Sequence, residues 1–399
     1  MRFSRNMEKI SMSKTAEVAD LALSLKEKGH KVINMASGEL TFRPASTVRK
    51  KACQIINKGQ TLYTQVAGLN ELRQLLSDKL KKDLEVDYKP DEIIVSNGGK
   101  QVIYNALQST INRGDEVIIV SPYWVSYPEI IKLCGGKPKI LQSKRKDGFS
   151  INTKNLEKLI TSKTKWLILN SPNNPTGTVY SFETLKNLTE LLKKYPEIWV
   201  LSDDIYEKLN FSSKKNVNII NLDKRLKERS LIVNGFSKGY CMTGWRLGYG
   251  AGPKILIEAM KKIQSQSTSA PNTIAQNAAI EALKLDNNYF EEIKTSLIKR
   301  RAVVTSAFSD FQSFSSNFSQ GAFYIFPSIK RFLGKRLNGR DIIVDDTSFC
   351  LHLLSSEYVA VVPGSSFGSK DSIRISYALS EKDLRIGCKR IKRFCKKLV

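Results

Sequence analysis

The 399-residue chain has few of the side chains that most often carry metal and redox chemistry. Its only histidines are His30 and His352, so a histidine-rich metal site is excluded and any histidine-based triad has to use one of these two. The six cysteines (Cys53, Cys134, Cys241, Cys350, Cys388 and Cys395) include no C-x-x-C pair. That scatter fits reduced, mostly buried thiols in a cytoplasmic setting better than a disulfide framework or a zinc ribbon. No apolar run approaches the roughly 18 to 20 residues of a membrane span. Runs such as 117–120 and 166–169 are strand-sized. With 23 glycines and 12 prolines the composition is neither collagen-like nor that of a disordered chain. The N-terminus carries Arg2, Arg5 and Lys9, then Ser11, Ser13 and Lys14 in place of an apolar core and a small-residue cleavage site, so no secretory signal is read.

Acidic residues are also scarce, 38 against 64 basic ones, which gives a net charge of +26. Such a surplus raises nucleic acid, anionic lipid or acidic metabolites as partners. The lysines, however, are spread along the chain, as at Lys79 to Lys82, Lys144 to Lys146 and Lys214 to Lys215. There is no arginine-rich tail and no basic repeat interleaved with aromatics, so a solvated lysine-rich surface is expected and no specific nucleic acid. What remains is a folded chain of 45.0 kDa, 41% hydrophobic, long enough for two to three domains. Its chemistry falls to lysine, arginine, aspartate and tyrosine.

Apolar strand-like runs at 92–96, 116–121, 137–141, 165–170, 198–202, 230–234 and 246–250 alternate with amphipathic stretches such as 100–111, 124–134 and 181–195. This alternation predicts an α/β architecture whose large domain holds a mostly parallel seven-stranded sheet flanked by helices, with ligands beyond the carboxyl ends of the strands. Residues 13–28 read as a helix stopped at Gly29. The last third reads as helix, strand 321–326, helix, strands 359–362 and 372–377, and a basic helix. The division expected is an N-terminal segment 1–45 that joins 285–399 in a smaller α+β domain, with 46–284 as the large domain.

Four patterns lie at or just after expected strand ends. Ser96-Asn97-Gly98-Gly99-Lys100 enters a helix; on its own it reads as a plain strand-to-helix turn, with a phosphate cradle as the alternative. Asn170-Ser171-Pro172-Asn173-Asn174-Pro175-Thr176-Gly177 is too rich in Asn and Pro for a generic loop. Ser202-Asp203-Asp204-Ile205-Tyr206-Glu207 sets acids at a strand end. Asn234-Gly235-Phe236-Ser237-Lys238 ends an apolar strand on a lysine, and Arg246 follows eight residues later.

Together, SPNNPTGTVY (171–180), SDDIYE (202–207), NGFSKGYCMTGWRLGY (234–249) and RISYA (374–378) resemble, in order and spacing, the class I pyridoxal-phosphate aminotransferases. The resemblance runs essentially end to end. VSNGGKQ, SPYWVSYPE and QSTSAPNTIAQ bring it nearest to the bacterial aspartate aminotransferase branch, some members of which also transaminate prephenate.

The resemblance implies an aspartate aminotransferase-like fold, a ping-pong transamination and a role for each matching residue. Lys238 carries the cofactor as a Schiff base and moves the proton at the substrate α-carbon. Asp203 pairs with the pyridine nitrogen, and Tyr206 and Asn174 bond the ring hydroxyl. Gly99 and Lys100 offer backbone N–H groups to the phosphate and Arg246 clamps it. Ser237 either assists there or only shapes the turn. Trp124 stacks on the ring; without the family it would read as a core tryptophan. Arg374 takes the substrate α-carboxylate beside the Gly38 backbone, and Lys100 takes a distal carboxylate. Tyr63 reaches the cofactor phosphate of the other subunit, which implies a homodimer with shared sites.

The expected reaction is L-aspartate plus 2-oxoglutarate to oxaloacetate plus L-glutamate, with prephenate a further candidate substrate. The alternative is an aromatic or broad-specificity amino-acid aminotransferase. A regulator on a degenerate transferase scaffold is opposed by the joint retention of Lys238, Asp203, Asn174, Arg246 and Arg374. Two departures from the family bear on selectivity. The usual AGEPDF is replaced by Ala36-Ser37-Gly38-Glu39-Leu40-Thr41-Phe42, and Met12 stands where a proline usually precedes Ser13.

Overall fold

The computed structural model describes residues 7–10, 14–212, 217–309, 311 and 319–399. Arg2, Arg5, Met12, Ser13, Lys214 and Lys215 lie outside the described residues, as do the side chains of Lys9, Lys14 and Thr15.

The centre is a seven-stranded sheet of β1 (Ile93–Ser96), β2 (Glu116–Ser121), β3 (Lys137–Gln142), β4 (Thr164–Asn170), β5 (Trp199–Asp203), β6 (Ser230–Gly235) and β7 (Gly248–Ala251). The spatial order is β1-β7-β6-β5-β4-β2-β3. β3, β2, β4, β5 and β6 run parallel, while β7 lies antiparallel to both β6 and β1. Helices such as Gly99–Thr110, Ser126–Leu133 and Phe182–Lys193 fill the intervals where the amphipathic stretches predict them.

Both faces of the sheet are buried, and the strand pleat sorts their side chains. Val117 and Ile119 of β2 pack on the face covered by Val102, Ile131 and Met260, while Ile118 and Val120 face Leu72, Leu188 and Ala278. This is why these strands read as continuous apolar runs rather than as an alternation.

The second core is built around Phe323, Phe349, Leu353, Ile375, Ile391 and Phe394, and it also contains Ile33, Met35 and Leu40 from near the N-terminus. Ile33–Asn34 pairs in parallel with Val359–Ala360, which carries the early chain into this layer. A three-stranded sheet of β8 (Tyr324–Ile325), β9 (Val362–Pro363) and β10 (Ile373–Ser376) lies beside it in the order β9-β10-β8. The expected strand 359–362 is thus two short pieces, because Val359–Ala360 serves the early chain and Val362–Pro363 serves β10. The expected strand 321–326 shrinks to β8. The altered segment after Gly38 is firmly seated here: Leu40 enters the second core, Thr41 Oγ1 donates to Ala378 O at 2.8 Å, and the Arg300 guanidinium lies 4.5 Å from the Phe42 ring centroid.

Candidate active site

Sheet register gathers the chemistry. Asn170 pairs with Asp203 across β4 and β5, while Ser96 and Gly235 both pair with Gly248 of β7, so the four motif-bearing ends share one edge of the sheet. A cavity of about 740 Å³ opens over that edge and is closed from the other side by Asn34, Ala36, Ser37, Gly38 and Glu39 and by Tyr324 and Arg374 of the second layer.

Eleven of the twelve residues singled out in the sequence line it: Gly38, Gly99, Lys100, Trp124, Asn174, Asp203, Tyr206, Ser237, Lys238, Arg246 and Arg374. Tyr63 does not; it is 91% exposed, next to Leu62 at 83%.

Of the two adjacent acids, Asp203 faces the cavity, where its carboxylate accepts the Tyr127 O–H at 2.6 Å and the Ile205 N–H at 3.3 Å. Burial pushes its pKa up to about 6 against the opposing pull of those two bonds and of the Lys238 charge. Asp204 lies outside the cavity lining and is held by Ser202 Oγ at 2.8 Å and Asn218 Nδ2 at 2.7 Å.

Lys238 leaves the end of β6 and donates from Nζ to Gly38 O at 2.7 Å. Burial lowers its pKa to about 8, aided by Arg374 and Arg246 and opposed by Glu39 and Asp203. A neutral amine is therefore accessible near neutral pH, as proton transfer at carbon requires.

Arg374 donates from Nη1 to Asn174 Oδ1 at 3.0 Å and from Nη2 to Ala36 O at 2.6 Å, and its guanidinium lies 4.4 Å from the Tyr324 ring centroid. Its buried Nε has no hydrogen-bond partner. Asn174 is itself fixed, its N–H donating to Asn170 Oδ1 at 2.9 Å while Asn170 Nδ2 donates to Asp203 O at 2.9 Å.

At the far end, Gly98 precedes the helix Gly99–Thr110, whose first N–H groups have no intrahelical acceptor. Gly98 has φ +93°, and a Cβ there would sit 2.6 Å from Arg246 Nη2, so glycine is what lets the guanidinium lie over the helix start. Arg246 itself adopts a left-handed turn (φ 54°) before β7 instead of opening the strand as the sequence predicts. Lys100 Nζ lies 5.0 Å from the Trp124 ring centroid; desolvation, and then Arg246, lower its pKa.

The donor set fits pyridoxal phosphate at its phosphate, its aldehyde and its ring nitrogen. A helix start with an arginine suits the phosphate, and a buried lysine amine suits the aldehyde. A buried carboxylate whose pKa is raised by burial suits a protonated ring nitrogen.

Sequence reasoning missed Tyr127, the hydrogen-bond donor to Asp203, and Tyr324. Tyr127 had no separate signal: three residues after Trp124, it reads as a core aromatic, and in the structure the two rings meet edge to face at 5.3 Å. Tyr324 had none, since an aromatic in Gly321 to Phe326 reads as core.

Comparison with known proteins gives a single answer. The model of the family described as aminotransferase class I and II matches residues 30–391. A probable aspartate/prephenate aminotransferase of Rhizobium leguminosarum bv. phaseoli is 44% identical over 389 residues, 98% of this chain and 97% of the relative. The aspartate/prephenate aminotransferase of Cereibacter sphaeroides is 41% identical over 98% of each chain. Among solved structures, the aspartate aminotransferase of Rhizobium meliloti superposes with a TM-score of 0.96 at 38% identity, covering 100% of both chains. That of Thermus thermophilus with maleate superposes at 0.92 and 35% identity, covering 99% of this chain and 100% of the other.

Proposed function

Because the chain belongs to the class I and II aminotransferases, we propose that it is a pyridoxal-phosphate-dependent aspartate aminotransferase that transfers the amino group of L-aspartate to 2-oxoglutarate, with prephenate as a further acceptor. The observation that carries the reading is the convergence of the Lys238 amine, the Asp203 carboxylate and the Arg374 guanidinium on one cavity.

Pyridoxal phosphate, when bound, supplies an electron-withdrawing ring that stabilises negative charge at the amino acid's α-carbon. Lys238 Nζ, neutral above about pH 8, would take the proton from that carbon and pass it to the cofactor's former aldehyde carbon, and would carry it the other way in the opposite half-reaction. Asp203, oriented by the Tyr127 hydroxyl, holds the proton on the ring nitrogen. Tyr206 and Asn174 donate to the ring oxygen, and Trp124 covers the ring face. Gly99, Lys100 and Ser237 receive the phosphate with Arg246.

Arg374, already gripping Asn174 and Ala36, turns its free Nε and planar fork to the substrate α-carboxylate, next to the Gly38 backbone. Lysine at this position keeps the charge and loses the fork. Arg374→Lys is therefore expected to raise KM for L-aspartate roughly 10- to 100-fold with a smaller change in kcat, measured by steady-state kinetics.

Lys100 meets the distal carboxylate as a point charge, and the Thermus thermophilus relative described with maleate, a dicarboxylate, is consistent with such a site. Lys100→Ala is expected to lower the kcat/KM preference for L-aspartate over L-alanine by roughly 10- to 100-fold, the range of one pocket contact. An unchanged preference removes Lys100 from the substrate site.

The reading includes a homodimer in which Tyr63 reaches the phosphate bound by the neighbouring subunit; the outward Leu62-Tyr63 pair supports it. A reducing, cytoplasmic setting is supported by six free cysteines, five of them buried.

The test is the visible absorption of the protein mixed with pyridoxal phosphate, followed while L-aspartate alone is added. Conversion to the pyridoxamine phosphate spectrum is expected. Absence of any protein-bound visible band overturns the enzyme reading. A response to phenylalanine or tyrosine but not to aspartate moves the substrate class to aromatic amino acids.

A further inference from the structure

Tyr324 meets three parts of the cavity at once, and none of the roles given above uses its hydroxyl. It stands on β8 opposite Ser376 of β10, two residues from Arg374 and so on the same face of that small sheet. Its ring lies under the Arg374 guanidinium at 4.4 Å. Its hydroxyl is 3.2 Å from the Tyr206 hydroxyl, and both side chains are buried. A Cβ at Gly38 would lie 3.4 Å from the same oxygen, an ordinary contact distance, so Gly38, whose carbonyl accepts from Lys238, sits beside it.

A phenylalanine would pack the core and carry the guanidinium equally well. The hydroxyl is a group whose burial costs free energy unless it is hydrogen-bonded, and Tyr206 is its partner.

We propose that Tyr324 is a positioning residue that acts through Tyr206: its hydroxyl donates to the Tyr206 phenol oxygen, which strengthens Tyr206 as a donor to the cofactor's ring oxygen. The inference rests on the function proposed above. Its physical basis is the mutual polarisation of hydrogen bonds in a chain. A phenol that accepts one bond gives a stronger one, and a stronger donor to an oxygen that carries negative charge favours the deprotonated state of the bound cofactor.

The charged groups facing the two phenols are Arg374, Asp203 and Glu39, with the Tyr127 phenol behind Tyr206. All remain in place when Tyr324 becomes phenylalanine. Burial holds both phenols above their ordinary pKa, so each stays a neutral donor across the working pH range.

The test is a pH titration of the visible band of the enzyme loaded with pyridoxal phosphate, in wild type, Tyr324→Phe, Tyr206→Phe and the double variant. Tyr324→Phe is expected to raise the transition by roughly 0.5 to 1 pH unit, with KM for L-aspartate within about twofold of wild type because the ring under Arg374 is kept. In the Tyr206→Phe background the same change is expected to add no further shift, since the path through Tyr206 is already gone. A wild-type transition that Tyr324→Phe leaves unmoved overturns the inference while the proposed function stands. A shift of full size in the Tyr206→Phe background also overturns it, because Tyr324 then acts independently. A wild-type protein with no bound visible band overturns the proposed function and the inference with it.

Discussion

Lys238→Ala is expected to reduce kcat for transamination by at least roughly four powers of ten, because one side chain performs both the covalent and the proton-transfer work. A positioned general base alone is worth roughly two to four powers of ten. Lys238→Arg separates charge from chemistry: the guanidinium retains the positive charge beside Gly38 O but does not release a proton in the working range. It should be as inactive as the alanine variant, and arginine turnover within about a hundredfold of wild type would contradict a proton-moving Lys238.

The pH dependence of cofactor uptake follows from the same residue. Burial, Arg374 and Arg246 bring the Lys238 pKa down to about 8, against the pull of Glu39 and Asp203. Below that value the ammonium form dominates and has no lone pair for the aldehyde carbon. The rate of uptake by cofactor-free protein should therefore rise about tenfold per pH unit toward pH 8 and flatten above it, followed by stopped-flow absorbance.

The large sheet was legible because strands buried on both faces leave continuous runs such as Val117 to Val120 and Leu231 to Val233, bounded by polar ends. The motif residues just beyond those ends stood out for a related reason, since a lysine, an aspartate or an asparagine that stops an apolar strand needs a purpose, and the resemblance to the aminotransferases gave each its role. What escaped was context supplied by another element. Arg246 reads as the first residue of an apolar strand, yet it turns left-handed so that its guanidinium can cross Gly98, a contact made between residues 148 positions apart. Tyr127 and Tyr324 carry the signature of core aromatics, and only their hydroxyl partners, Asp203 and Tyr206, set them apart. The small strands read longer in the sequence than they are, because residues 359–362 serve two neighbours in turn. Tyr63 is 91% exposed and does not line the cavity of its own chain.

Asp203→Ala is expected to lower kcat by roughly two to four powers of ten. Removing one partner of a buried charge pair costs roughly 3 to 5 kcal/mol, and each 1.4 kcal/mol or so that falls on the transition state is tenfold in rate. Asp203→Asn is the sharper variant. Asparagine keeps the shape, and its single amide oxygen can still accept either the Tyr127 O–H or the Ile205 N–H, which reach different oxygens of the native carboxylate at 2.6 and 3.3 Å, but it carries no charge to keep a ring nitrogen protonated. If charge is the operative property, asparagine is nearly as slow as alanine. Near-normal turnover in Asp203→Asn would assign Asp203 to orientation alone. The wild-type acid limb carries the same sign. With the Asp203 pKa at about 6 in the cofactor-free protein, protonation below that pH removes the anion, so affinity for pyridoxal phosphate should fall from pH 6 toward pH 5. In Asp203→Asn that limb should vanish, because the side chain no longer titrates, and equilibrium titration of the cofactor at the two pH values distinguishes the cases.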